Sequence, residues 1–112
     1  RNKSPNKRGE LMNLNEAAEN AHRTSRQREK NGAKFTGGDI LKHCAGEVIE
    51  AAQARAELHN GEMTYEEYGY ELADVIICAL IAAVEDNVDI ERAVNEKMQI
   101  NAQRAAMLGD KL

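Results

Sequence analysis

The sequence predicts an all-α fold, an antiparallel four-helix bundle-like domain that associates into oligomers, on three observations. Only Phe35, Tyr65, Tyr68 and Tyr70 are aromatic among 112 residues, with one proline and no tryptophan, which is poor material for a sandwich or barrel. Apolar residues recur at helical spacing. Cap residues and Asn-Gly or Gly-Gly pairs divide the chain into four segments of helical length.

A first helix is expected over residues 14–30, where Leu14, Ala17, Ala18 and Ala21 share one side. Its second half, Arg23, Arg26, Arg28 and Lys30, continuing to Lys34, is basic and reads most simply as a solvated face. Asn31-Gly32 and Gly37-Gly38 bracket a short connection, and Thr36 with Asp39 three residues later resembles a capping box opening a second helix over 39–58. Asn60-Gly61 ends that helix, and Thr64 with Glu67 forms a clearer capping box for a third. The third helix carries YGYELADVIICALIAAVED (68–86), whose apolar residues surround the axis. A helix that is apolar all round is buried all round, so one of its sides is expected to pack on another subunit. Asp89 caps a fourth helix over 90–108, closed by Gly109. Residues 1–11 read as a flexible basic leader or a remnant of expression, and 12–112 as one helical domain.

Arg1, Lys3, Lys7 and Arg8 against Glu10 put +3 on the first ten residues, so the remainder carries −7 of the net −4. Such an acidic body argues against nucleic acid as a partner and implies that an anionic ligand would need a metal. The longest apolar run, 72–84, is interrupted by Asp74 and falls short of the ~20 residues of a bilayer span, so no membrane association is expected. Two cysteines, Cys44 and Cys78, read as reduced core residues of a cytoplasmic protein.

Chemistry enters with the acids. Glu47 and Glu50 on the second helix, and Glu71 and Asp74 on the third, repeat one three-residue spacing that places each pair on one helix face. Ile40, Leu41, Cys44, Val48, Ala51 and Leu58 form the apolar stripe of the second helix, with Glu47 at its border, whereas Glu71 and Asp74 lie inside the hydrophobic run. Carboxylates among leucines and isoleucines are costly unless paired, protonated or bound to a cation, and four together suit a hard divalent ion such as Mg²⁺. On the fourth helix Lys97, Asn101 and Arg104 share a face beside the stripe of Ile90, Val94, Met98, Ala105 and Leu108, a set suited to phosphate. Taken singly, each group also reads as an ordinary solvated or hydrogen-bonding face.

The run GEVIEAA (46–52), YELADVIICAL (70–80) and Lys97-x-x-x-Asn101-x-x-Arg104 together resemble the MazG-like all-α nucleoside triphosphate pyrophosphohydrolases over residues 37–105. That resemblance implies a helical fold assembled as a homodimer or homotetramer. It also implies hydrolysis of a (d)NTP to (d)NMP and pyrophosphate, in nucleotide-pool house-cleaning, with Mg²⁺ as cofactor and Mn²⁺ as its substitute. By the same resemblance Glu47, Glu50, Glu71 and Asp74 are the metal ligands, with Glu47 or Glu50 orienting or deprotonating the attacking water, and Lys97, Asn101 and Arg104 contact the nucleotide. Many members carry an acid where this chain has Gly46. His43, one turn before Glu47, is either a partner of that carboxylate or a surface histidine. Two rival readings are a carboxylate-bridged di-iron bundle, for which only Glu19 and His22 have the Glu-x-x-His spacing, and a non-catalytic helical oligomerisation or regulatory module.

Overall fold

The computed structural model describes residues 12–32 and 37–111, four α-helices with no strand among them. Helix α1 (Leu14–Lys30) starts on a capping box: Asn13 Oδ1 accepts the Glu16 N–H at 2.9 Å, and the Asn13 N–H donates back to Glu16 Oε1 at 3.2 Å. Helix α2 (Gly37–His59) opens two residues earlier than the spacing suggested, so Gly37-Gly38 belong to the helix. The expected Thr36 cap, Lys34 and the leader 1–11 lie outside the described residues.

The end of α2 is built by Gly61 at φ +79°, with its N–H on the Leu58 carbonyl at 3.1 Å and the Glu62 N–H on the Glu57 carbonyl at 2.8 Å. This pair of reversed bonds satisfies carbonyls that the helix leaves open, and it needs a left-handed residue at that position. Helix α3 (Tyr65–Glu85) begins on the expected Thr64–Glu67 capping box and ends the same way as α2, with Asn87 at φ 59° in the glycine's role.

Helix α4 (Ile90–Lys111) begins on Asp89, whose carboxylate accepts the Arg92 N–H at 3.1 Å. It does not stop at Gly109 as expected but continues through it, because a glycine closes a helix only where it takes a left-handed φ.

Helix α3 is central, packed on α2 along one side and on α1 along the other. Ile40 meets Ile81 and Ala82, Cys44 meets Cys78, and Glu47 meets Glu71 and Asp74, so α2 and α3 run antiparallel. Ala18, Ala51, Ala54, Ala82 and Ala83 make the interior rich in small residues beside Leu80 and Ile81, and among the described residues Ile40 is the large side chain most completely enclosed. His22 Nε2 lies 2.8 Å from Glu85 Oε2 and ties α1 to the end of α3, and neither Glu19 nor His22 is in one ligand group with Glu47, Glu71 and Asp74.

Helix α4 touches α1 only near its start. The Asn15 side chain donates to Asp89 Oδ1 at 3.0 Å and accepts the Glu91 N–H at 3.2 Å. Residues 95–108 are all exposed, Met98, Met107 and Leu108 among them, so the four helices do not close into one bundle within the chain. The radius of gyration is 17.0 Å, against about 13 Å for a compact domain of this length. No helix among the described residues is long and apolar enough to cross a membrane.

The hydrogen bond from Asn15, then that from the Arg92 N–H, hold the Asp89 carboxyl below the usual carboxylate range. A depressed folded pKa stabilises above the unfolded value, and the contribution is lost as pH falls through the folded one. Acidification below about pH 4 is therefore expected to loosen the α1–α4 junction first. Protection of the Arg92 amide, taken relative to its intrinsic exchange rate at each pH, should fall there, and Asp89→Asn should remove that pH dependence.

Candidate functional site

The residues of α2 that face its neighbours are Ile40, Cys44, Glu47, Ala51, Ala54 and Leu58, alternately four and three apart. That is a seam of coiled-coil type, and Glu47 occupies one of its interior positions. The expected stripe is corrected accordingly: Leu41 and Val48 turn outward, 59% and 52% exposed, and Glu47 moves from the border into the packed face.

Across the seam, α3 presents Glu71 and Asp74. One carboxylate oxygen from each of Glu47, Glu71 and Asp74 can be chosen so that all three lie within 4.8 Å of one another. Glu50, one turn from Glu47, is exposed and is not a member of that group, although its charge acts on Glu47. Burial, followed by the charges of Glu50 and Asp74, raises the Glu47 carboxyl above its ordinary value, and His43 works in the opposite direction. His43 Nε2 lies 3.0 Å from Glu47 Oε2, so the histidine is a partner of this carboxylate with its own ring partly in solvent.

Glu47 Oε1 is buried and has no hydrogen-bond partner. A buried carboxylate oxygen left unmatched, beside two further carboxylates, is a costly arrangement in the absence of a cation. The donor set is oxygen only, as Mg²⁺ and Mn²⁺ require, and the residues present therefore fit such an ion.

Glu47 and Asp74, though not Glu71, line a cleft of about 580 Å³ between α1, α2 and α3. Ala17, Asn20, Thr24 and Arg28 line it from α1, His43 and Glu47 from α2, and Asp74, Ile77 and Cys78 from α3. The volume is within the range of small-molecule sites. Arg28 was expected on a solvated face, but it lies on the cleft side of α1. Arg23 donates to Asn20, itself a lining residue, and Arg26 pairs with Glu29 and Glu85. The signal for Arg28 was available in the spacing, since residues 17, 21, 24 and 28 share a face.

Lys97, Asn101 and Arg104 share a face of α4 as expected, but all three are exposed and none lines the cleft of its own chain. Gly46 points outward, and a Cβ there would meet nothing within 4 Å. Gly46→Ala is expected to stabilise the chain by roughly 0.5–1 kcal/mol by removing backbone freedom in mid-helix, read as a rise in melting temperature.

No protein family matches the chain, and neither a curated protein nor a solved structure is similar to it.

Proposed function

We propose that the chain is a Mg²⁺-dependent nucleoside triphosphate pyrophosphohydrolase, of the MazG-like all-α kind, that converts a (d)NTP and water to (d)NMP and pyrophosphate. The observation that carries the reading is the meeting of Glu47, Glu71 and Asp74, the first and last of which line a cleft of small-molecule size, with one buried Glu47 oxygen unmatched.

In this reading Glu47, Glu71 and Asp74 hold the ion, and Glu50 joins them from the exposed side of α2. The bound ion supplies charge neutralisation for the polyphosphate and acidifies a water. Glu50 is exposed one turn from Glu47 and its charge acts on that carboxylate, which suits it to orient the water or accept its proton. Glu47, its carboxyl raised by burial, is the alternative acceptor. Arg28 on the facing wall brings a positive charge to the cleft, and Thr24 offers a hydrogen bond to base or sugar.

Lys97, Asn101 and Arg104 serve phosphate or sugar in this reading only if a second copy seats α4 over the cleft. The exposed apolar residues of α4 and the outward Leu72 and Ile76 of α3 favour such a homodimer or homotetramer. A panel of NTPs and dNTPs with Mg²⁺, with pyrophosphate measured separately from orthophosphate, tests the activity. Pyrophosphate release supports it; orthophosphate release alone, or no turnover and no Mg²⁺-dependent nucleotide binding, overturns it.

A further inference from the structure

The carboxylate group does not account for the other titratable cluster on the α2–α3 seam. His43 and Glu47 are one turn apart on α2, and Cys78 faces them from α3, each offering a ligand atom within 4.8 Å of the other two. Cys44, the neighbour of His43 in sequence, faces Cys78 from across the seam but is not one of the three. Imidazole nitrogen, thiol sulfur and a single carboxylate oxygen are the wrong donors for Mg²⁺ and the preferred ones for zinc.

We infer that His43, Glu47 and Cys78 form a second cation position, for a thiol- and imidazole-preferring divalent ion of the zinc class, with the fourth position left to water. Three features carry it. The donors come from two packed helices rather than from one solvated face. Glu47 uses one oxygen toward His43 and keeps the other buried and unmatched, so it has acceptor capacity for an ion. The charges also balance: one thiolate, one carboxylate and a neutral imidazole offset a divalent ion, which makes a buried position tolerable.

Tetrahedral zinc, with bonds of about 2.0–2.3 Å, places neighbouring ligand atoms roughly 3.3–3.8 Å apart. Closure therefore takes movement on the order of 1 Å, within reach of a His43 side chain that is 45% exposed. On binding, the Cys78 S–H bond breaks, its proton passes to solvent and a metal–sulfur bond forms, with no change of oxidation state. The position shares only Glu47 with the carboxylate group, and it stands whether or not that group serves nucleotide hydrolysis.

The test is a Co²⁺ titration of the full chain, reduced, metal-free and under anaerobic conditions. The expected result is one equivalent bound per chain with a near-ultraviolet thiolate-to-cobalt band and the strong visible absorption of tetrahedral cobalt, both removed by Zn²⁺. Cys78→Ser should abolish the band. His43→Gln, at an exposed position where helicity is retained, should weaken Co²⁺ binding at least tenfold. Glu71→Gln should leave the band intact while weakening Mg²⁺ binding, so that failure at one position is distinguishable from failure at the other. A weak octahedral spectrum without the band, a band that survives Cys78→Ser, or unchanged affinity in His43→Gln overturns the inference.

Discussion

Glu47→Gln is expected to abolish pyrophosphate release, by at least about a hundredfold, while raising the melting temperature of the cation-free protein. The two effects have one origin. Glu47 sits at an interior position of the α2 seam, its carboxyl raised first by burial and then by the charges of Glu50 and Asp74, with one oxygen unmatched. Neutralising it removes a buried charge and its repulsions, yet the amide oxygen can still accept from His43. The same change takes away a ligand that a hard cation needs, and a hundredfold loss is only ~2.7 kcal/mol of transition-state stabilisation. In the native chain, Mg²⁺ at a hundred times its Kd should add about 2.7 kcal/mol to stability. That increment should vanish in Glu47→Gln and in Asp74→Asn. Asp74 is more exposed, so Asp74→Asn should lose turnover equally but gain less stability without the ion. Melting curves with and without Mg²⁺, beside the pyrophosphate assay, check both parts. A glutamine variant that keeps turnover within about twofold would remove Glu47 from the metal site.

Ile40→Ala is expected to destabilise the chain by about 2–5 kcal/mol. Ile40 is 2% exposed and packs on Ile81 and Ala82, with Ala21 of α1 completing the contact, so one side chain joins three helices. Its neighbours are already small, and alanine there leaves a void that they cannot fill. A chain of this length carries roughly 6–17 kcal/mol in all, so the loss is a large share and should lower Tm by on the order of 10 °C or more. Ile76 gives the contrast. It is 58% exposed in the single chain, and Ile76→Ala would cost almost nothing if that face met water. Under the proposed association it should instead cost more than its exposure allows, with a Tm that depends on protein concentration. Denaturation at two concentrations, with light scattering for the subunit count, separates these outcomes.

Helix ends were the most legible feature because their chemistry is local. Thr64 with Glu67, Asp89, and Asn60-Gly61 each act within one turn of themselves, and the caps form where the spacing places them. Gly109 misled because a glycine carries a stop signal only when the chain beyond it turns. The acids were legible as two pairs of equal spacing. Which of the four meet was not, because that depends on the rotation of α2 about its own axis. The seam turns Ile40, Cys44 and Glu47 inward together and leaves Leu41, Val48 and Glu50 outside. His43 and Arg28 were visible only as members of faces that could equally have been solvated.

The amino-acid order alone determined four helices, the caps at Thr64 and Asp89, the Asn60-Gly61 stop and an acidic pair on each of the second and third helices, since all of these follow from interactions between residues a few positions apart. Only tertiary structure decided that Glu47 is an interior residue, that Cys44 and Cys78 face one another, and that a cleft separates the acids from Arg28. It also left Lys97, Asn101 and Arg104 on a helix that stands clear of the rest. The physical reason is that periodicity fixes which residues share a face, whereas the neighbour of that face is chosen by the packing of a small, alanine-rich core too far along the chain for local spacing to report.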